Sequence, residues 1–309
     1  GAERTKNFQG RIFLGPDTEP ESNYHFSWRE RADERFDNVR VMRDEQFAYH
    51  KNYAPFAPNG QYLAYMHNMK ATGAWERHHQ AGKTNAVTGR FFEPRPSEEF
   101  YDNFKDFHNI DNQIDDPLHQ SKIKELKKEL RRQQLQYFDS GLMPEEMRNR
   151  ITKEKKMTVY AFVRDPKLYP LAKYLDFADL ALVRKKGNLK TLTKCLTDAD
   201  PVIRYWSVVG LLLLEKHAQP AMSELKKALL DSDEIPSLAA WAIFKAGEED
   251  FAKQWMLREI TENPGNKMLA NVLDWMDKDS FPILSKIPQD KLLQRGLLKD
   301  VVTRYRARI

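Results

Sequence analysis

A repeated pattern of helical segments in the second half constrains the fold of this chain most strongly. Three turn positions, Asp198, Asp231 and Asn263, follow one another at intervals of 33 and 32 residues. An amphipathic segment precedes each turn and an apolar segment follows it; these segments are 189–196 and 202–214, 222–230 and 236–246, and 252–260 and 267–276. Helix pairs at a fixed period predict an α-solenoid, in which each pair buries its apolar face against the next.

The best-defined unit of this pattern runs from Leu196 to Arg204 and resembles a HEAT repeat. Its Asp200-Pro201 turns the chain, and Arg204 opens the second helix. The period is shorter than the ~40–47 residues of HEAT and armadillo repeats, so the pattern predicts a HEAT-like array. A further unit is predicted at 166–184, and the whole repeat domain at 166–309. Trp206 and Trp241 are predicted to be buried in its core.

The first part of the chain predicts a small antiparallel sheet. Large apolar and polar residues alternate along 24–28, 36–42 and 46–52, which is the two-residue period of strands with one buried face. A tight turn is predicted at 43–46 and a last short strand at 99–102. The intervening region 54–96 is irregular because prolines and Gly60 interrupt it, with one helix predicted at 84–92.

A long amphipathic helix is predicted after Asp115-Asp116-Pro117, because an acidic cap and a proline in the first turn mark helix starts. Its apolar face is expected to contain Leu118, Ile123, Leu126, Leu130 and Leu135. The predicted fold class is therefore α+β, a small antiparallel sheet with a packing helix followed by an all-α HEAT-like solenoid. Residues 139–165 are predicted to be a linker between these two domains.

Four segments resemble the C-terminal subdomain of type I sulfatases. They are Gln9–Gly15, Arg29–Asp44, Phe47–Tyr53 and Glu98–Asp102, and the resemblance extends from Phe8 to about Phe138. It implies a domain at residues 1–138 with a four-stranded sheet packed by a helix. It also implies kinship with hydrolases of carbohydrate sulfate esters or sulfamates, which use a formylglycine and a calcium ion.

The catalytic motif of that family is missing from this sequence. Its formylglycine arises from the cysteine of a Cys-x-Pro/Ala-Ser-Arg segment, whereas the single cysteine here, Cys195, is followed by Leu-Thr-Asp-Ala. No calcium ligand of the family can be carried over either. We therefore expect no catalytic residue, metal ligand or cofactor in this chain, and no sulfatase activity from it alone. Cys195 is interpreted as a small side chain of the core.

The irregular region between the strands is where the resemblance implies a wall of the substrate pocket. The candidate substrate-binding residues are His67, Trp75, Arg77 and His78. A guanidinium group can bind sulfate through two hydrogen bonds, and an aromatic face suits a sugar ring. The alternative is that Trp75 anchors this segment to the sheet and that Arg77 and His78 are ordinary surface residues.

Two arginines, Arg40 and Arg43, coincide with positions where the resembled family commonly has arginine. A structural role explains them equally well, because Asp37 and Asp44 lie close in sequence on the same predicted hairpin. In that role, they would pin the hairpin by pairing with Asp37 or Asp44.

Charge and hydropathy narrow the possible partners. The net charge is +5, but Lys and Arg alternate with Asp and Glu almost throughout, which is typical of solvated helix faces. The basic stretches contain few aromatic residues, so nucleic-acid binding is not expected. No run approaches the ~18–20 apolar residues of a membrane span. The absence of an initiator Met and of a signal-peptide core at Gly1 is expected of a piece cut from a longer sequence.

The expected partner is therefore an N-terminal catalytic domain of the same parent protein, which the resemblance implies to be periplasmic or extracellular. A sulfated carbohydrate, or a protein bound by the helical repeats, would be a further partner. The competing hypothesis is a stand-alone protein-interaction scaffold, since solenoids present an extended concave face. A short array could instead mainly pack on the sulfatase-like part, and the sequence favours packing.

Overall fold

The structure, a computed structural model, describes residue 5 and residues 9–292 and 296–306. The expected piece begins at Gly1 and the sulfatase resemblance begins at Phe8. Both residues lie outside the described residues. Contacts divide the chain into two compact units. The sheet unit comprises 1–28, 40–51 and 98–139, and the helical unit comprises 29–39, 52–97 and 140–309. The domain limits expected from the sequence stay a prediction.

The secondary structure combines four strands with many helices. The strands are β1 His25–Ala32, β2 Arg35–Arg43, β3 Phe47–Asn52 and β4 Glu98–Asp102. The helices are α1 Ala64–His67, α2 Lys70–Gln80, α3 Ala86–Gly89, α4 Gln120–Tyr137, α5 Glu145–Glu154, α6 Val159–Phe162, α7 Leu171–Leu182, α8 Leu189–Cys195, α9 Pro201–Leu214, α10 Met222–Ala228, α11 Ile235–Lys245, α12 Glu249–Glu262, α13 Lys267–Trp275, α14 Phe281–Leu284 and α15 Leu297–Arg306. The predicted α+β fold class is confirmed.

The strands form one antiparallel sheet in the order β1-β2-β3-β4, and all four strand predictions are confirmed. Tyr49 of β3 lies opposite Phe100 of β4. The predicted turn after β2 is closed by Asp44, whose Oδ1 accepts the N–H groups of Gln46 at 3.0 Å and Phe47 at 2.7 Å. A short polar side chain that binds the backbone two or three residues ahead is a common way to fix a turn.

Helix α4 provides the core of the sheet unit. Asp116 accepts the Leu118 N–H at 2.8 Å and starts a 3₁₀ turn at 117–119, from which α4 continues. Its buried residues join those of the strands in one cluster of Met42, Tyr49, Phe100, Ile123, Leu126 and Leu130. The predictions for Leu118 and Leu135 are wrong, since these side chains are 88% and 39% exposed. Leu118 lies in the 3₁₀ turn before α4, and near the end of α4 the buried positions are those of Gln133 and Gln134 instead of Leu135.

Arg40 pairs with a carboxylate outside its hairpin. Its guanidinium group is buried and donates to both carboxylate oxygens of Asp139, at 2.7 Å each, rather than to Asp37 or Asp44. Asp44 instead pairs with Lys122 at 3.2 Å. Arg43 points to solvent. The partner of Arg40 follows α4 by two residues and is almost a hundred positions away, so local spacing could not identify it.

In the helical unit, helices occupy the segments predicted from the repeat pattern. The pairs are α8 with α9, α10 with α11, and α12 with α13, while α7 lies within the further predicted unit. Helix α9 packs against α7, α8 and α11, and α11 packs against α10, α12 and α13. The burial predicted for Trp206 and Trp241 is confirmed, at 0% and 5% exposure. The HEAT-like arrangement of the pairs stays a prediction.

Candidate functional site

Residues 52–97, which contain the predicted substrate-binding residues, are anchored on the helices of the same unit. The Tyr53 ring meets Trp206 of α9 edge-on at a centroid distance of 5.8 Å. The Phe56 ring contacts Trp241 of α11 at 5.8 Å and Trp275 of α13 at 5.5 Å. Aromatic ring pairs at these distances stabilise the folded state beyond what burial of their apolar surface contributes. Successive helix pairs therefore support the beginning of this segment.

Gln61 and Gly60 fix the path of the chain after Phe56. The side chain of Gln61 pairs with both backbone groups of Phe36, accepting its N–H at 3.1 Å and donating to its carbonyl at 2.8 Å. Gly60 donates its N–H to the Phe91 carbonyl at 2.6 Å. A Cβ at this glycine would lie 2.7 Å from the Phe92 ring, so only glycine permits this approach.

His67 is half-buried at the end of α1. Its ring stacks on Tyr62 at 5.1 Å, and its Nδ1 lies 3.3 Å from the backbone N and O of Leu63. The buried Nε2 has no hydrogen-bond partner among the described residues. Burial and the positive charge of Arg304 lower the pKa of His67, so the imidazole is neutral at pH 7. A neutral ring can form a hydrogen bond to a ligand but supplies no charge to bind sulfate.

Trp75 lies in a small aromatic cluster. Its ring stacks on Phe91 at 4.5 Å and meets Phe92 edge-on at 5.2 Å. Its Nε1 donates to the Thr88 carbonyl at 3.1 Å. These contacts join α2 to the turn at 90–92 of the same segment, and not to the sheet as the anchoring alternative expected. Contact of Trp75 with a substrate stays a prediction.

Arg77 and His78 are exposed on α2. Arg77 follows Trp75 by two residues, which places it about 200° around the helix, on the opposite side. In the described part of the chain, no hydrogen bond, ion pair or ring contact joins any two of the four candidate residues. The structure therefore does not bring His67, Trp75, Arg77 and His78 together, and their role in substrate binding stays a prediction.

A buried network of ion pairs holds α2 in place. Arg304 of α15 donates its Nε to Glu76 of α2 at 2.9 Å and its Nη1 to Asp274 of α13 at 2.6 Å. Asp274 also accepts the Tyr62 N–H at 2.7 Å, and Gly60 accepts from Arg304 Nη2 at 3.1 Å. Removing one member would leave a buried charge without compensation. The position of α2 therefore depends on residues more than two hundred positions away.

A second charge cluster surrounds Asp37 of β2 and was missed by the sequence analysis. Arg95 Nη1 lies 2.6 Å from its carboxylate, Arg35 Nη2 lies at 3.2 Å and Arg29 Nε at 3.4 Å. Part of the cluster could have been found from the sequence, since Arg35 and Asp37 are two positions apart on a strand and share a face. Arg95 comes from the end of the irregular region, for which no pattern predicted a position.

The residues present do not fit the formylglycine and calcium that the resemblance implies. Within the described residues, no group of three or more His, Cys, Asp or Glu side chains is arranged to hold a metal ion. Cys195 is half-buried at the end of α8, and burial raises the pKa of its thiol. A protonated thiol in this position is a poor nucleophile.

Across residues 9–292 and 296–306, the helices are too short or too polar to cross a membrane.

Comparison with known proteins gives one informative similarity. No family model and no solved structure matches the chain. A protein described as an ulvan-active sulfatase, from Formosa agariphila, is 32% identical over 147 residues. The aligned part is 46% of this chain and 24% of the relative, so the chain spans about a quarter of the length of the relative that it matches. This chain therefore contains a sulfatase-related region.

Proposed function

We propose that this chain is the C-terminal part of a sulfatase-like enzyme that hydrolyses a sulfate ester or sulfamate of a carbohydrate. The supporting observation is the 32% identity over 147 residues to a sulfatase, together with the α+β architecture. Because the only cysteine lacks the Cys-x-Pro/Ala-Ser-Arg context, the chain has no nucleophile of this family. The proposed partner is an N-terminal catalytic domain of the same parent protein, which would supply the formylglycine and the calcium ion.

Within this enzyme, residues 54–96 would form one wall of the substrate pocket. Arg77 and His78 are the candidates that a ligand can reach directly, because both are exposed on α2. Trp75 and His67 would shape the wall, since each makes ring contacts within the segment. The name of the relative makes the sulfated polysaccharide ulvan the first substrate to test. A periplasmic or extracellular parent protein would have access to such a polymer.

The helices would act as a HEAT-like module that packs on and stabilises the substrate-binding segment. Trp206, Trp241 and Trp275 come from successive helix pairs, and all three contact Tyr53 or Phe56. An ion pair also links consecutive pairs, because Arg204 donates to Asp231 at 2.6 and 2.9 Å. The stand-alone scaffold hypothesis has no support from the comparison and is not proposed.

Sulfate release from ulvan and from an aryl sulfate tests this proposal. We expect none from the chain alone and turnover from the longer polypeptide that begins with the Cys-x-Pro/Ala-Ser-Arg domain. In that polypeptide, Arg77→Ala should raise KM, whereas Arg258→Ala, an exposed arginine of α12, should leave KM unchanged. Equal KM values for both variants would contradict a pocket wall at α2.

A further inference from the structure

The turn between α7 and α8, together with α8 itself, departs from the alternation of charge along the rest of the chain. Residues 184–197 contain one arginine and four lysines and no acidic residue. Their combined charge equals the net charge of the whole chain, +5. Such a run of like charge repels itself, and basic runs of this kind are typical of surfaces that bind polyanions.

The four lysines of this stretch are all exposed, and we call them the lysine surface: Lys185, Lys186, Lys190 and Lys194. No carboxylate of the described residues forms an ion pair with any of them. On α12, by contrast, Lys253 pairs with Glu249 one turn away at 3.1 Å. Each ammonium group of the lysine surface therefore keeps its charge and its hydrogen-bond donors available to a ligand.

The packing of α8 turns two of these lysines to solvent. Leu192 is 1% exposed and lies two positions from both Lys190 and Lys194, about 200° around the helix from each. A Cβ at Gly210 of α9 would lie 2.7 Å from the Leu192 side chain, so the glycine permits close packing of α8 against α9. Lys190 and Lys194 are four residues apart and share the opposite, exposed face.

The turn before α8 is attached to the end of the segment 52–97, which contains the proposed pocket wall. Arg184 donates from Nη2 to the Arg95 carbonyl at 3.3 Å. Ser97 donates from Oγ to the Leu182 carbonyl at 2.9 Å. These hydrogen bonds hold the lysine surface next to the end of that segment.

The residue types of the lysine surface favour a sulfated carbohydrate over a nucleic acid. Lysine ammonium groups act as point charges, so several of them can contact sulfate groups along a polymer without a fixed geometry. Proteins that bind single-stranded nucleic acid stack the bases on aromatic side chains, and residues 184–197 contain none.

We propose that Lys185, Lys186, Lys190 and Lys194 form a binding surface for a sulfated polysaccharide, in addition to the candidates on α1 and α2. The carbohydrate nature of the ligand rests on the proposed function, whereas polyanion binding follows from the lysine surface itself. This surface recognises the density of negative charge along the polymer and not the position of a single sulfate group. It retains the polymer beside the segment 52–97.

The test is a calorimetric binding titration of this chain at low ionic strength. The probes are a dextran sulfate oligosaccharide, unsulfated dextran of the same length, and single-stranded oligothymidylate of the same charge as the dextran sulfate. The test variant combines Lys190→Gln with Lys194→Gln. The matched control combines Lys153→Gln with Lys155→Gln, because these two lysines at the end of α5 are also exposed and their replacement removes the same charge.

We expect dextran sulfate to bind more tightly than oligothymidylate, and unsulfated dextran not to bind. The test variant should bind dextran sulfate at least about fivefold more weakly than the parent chain, since it loses two ionic contacts. The control should stay within about twofold.

Three results would overturn the proposal. Dextran sulfate could fail to bind, or the test and control variants could weaken its binding equally, which would show general ionic attraction. Tighter binding of oligothymidylate would assign the surface to nucleic acid. Because the titration measures no turnover, its failure is distinguishable from a failure of the sulfate-release test.

Discussion

The sheet unit and the helical unit differ in the size of their apolar cores. The apolar cluster of the sheet unit is small, and it is supplemented by buried charge pairs such as Arg40 with Asp139. The helical unit has one long apolar core, in which Trp206, Trp241 and Trp275 lie on successive helix pairs. Buried ion pairs occur in both units, since Arg304 pairs with Glu76 and Asp274 in the helical unit. The small core of the sheet unit, however, leaves it less packed volume to offset the loss of such a pair.

Two glutamates, one in each unit, have pKa values shifted in opposite directions. Burial would raise the pKa of Glu98 in the sheet unit, but Lys51 and Lys127 lower it to about 2, with Nζ atoms 3.0 and 2.6 Å from its carboxylate. Burial raises the pKa of Glu234 in the helical unit to about 7, although it accepts backbone N–H groups of Glu146 and Met147 at 2.7 and 3.2 Å. A nearby cation thus determines the direction of the shift.

The largest expected effect is the loss of packed volume at Trp206. Trp206→Ala should lower the free energy of unfolding by about 3–5 kcal/mol. The indole is fully buried, and its Nε1 donates to the Leu142 carbonyl at 2.9 Å. Trp28→Ala is the matched control, because Trp28 is 66% exposed, and its cost should stay within about 0.5 kcal/mol. Urea unfolding measures the free energy of unfolding of both variants. Equal losses would contradict the burial of Trp206 in the core.

The buried ion pair of the sheet unit gives the next effect. Arg40→Met should cost about 3 kcal/mol, because it leaves the Asp139 carboxylate buried without its cation. Arg43→Met, three residues further along β2 and exposed, should change stability by about 0.5 kcal/mol or less. The measurement is urea unfolding together with hydrogen exchange of the strand amides. A similar cost for both variants would show that the pair does not stabilise the sheet unit.

The low pKa of Glu98 predicts that the sheet unit loses stability in acid. Its pKa is lower in the folded than in the unfolded chain, so its contribution is present above about pH 4.5 and is lost as the pH falls toward 2. Glu98→Gln should therefore cost about 2 kcal/mol at pH 7 and little at pH 2.5. Urea midpoints over this range provide the test, with Glu45→Gln, an exposed residue of the β2–β3 turn, as control. A cost that does not change with pH would contradict the lysine pairing.

The raised pKa of Glu234 predicts that the helical unit loses stability as the pH rises, by a smaller amount. Its pKa is higher in the folded chain, so the folded state binds more protons and stability falls as the pH rises from about 4.5 to 7. The two backbone N–H donors favour the charged form, so we expect a loss of only about 1 kcal/mol over this range. Glu234→Gln should remove this slope from the urea midpoints. An unchanged slope would mean that Glu234 is ionised throughout.

Much of the fold was predictable because it follows local patterns. The strands alternate with a period of two, and the helices α9, α11 and α13 carry continuous apolar faces at their predicted positions. Predictions failed where the outcome depended on a distant partner or where the local geometry departed from an α-helix. Arg40 pairs with Asp139 rather than within its hairpin, and Leu118 lies in a 3₁₀ turn where the helical period does not apply.

The candidate site was less predictable than the fold. The composition of residues 54–96 indicated Trp75 and Arg77, but no periodic pattern fixes where an irregular segment runs. Its path depends on Arg304 in the last helix and on the tryptophans of α9, α11 and α13. The arginines around Asp37 likewise come from β1, β2 and the end of this segment. Such a cluster exists only after the chain has folded.

We propose that this sulfatase-related chain, which lacks the nucleophile of the family, contributes to sulfate-ester hydrolysis only as part of a longer enzyme. Sulfate release from ulvan, measured in parallel for this chain and for the longer polypeptide, tests it most directly. We expect turnover by the longer polypeptide and none above background by the chain. Turnover by the purified chain itself would contradict it.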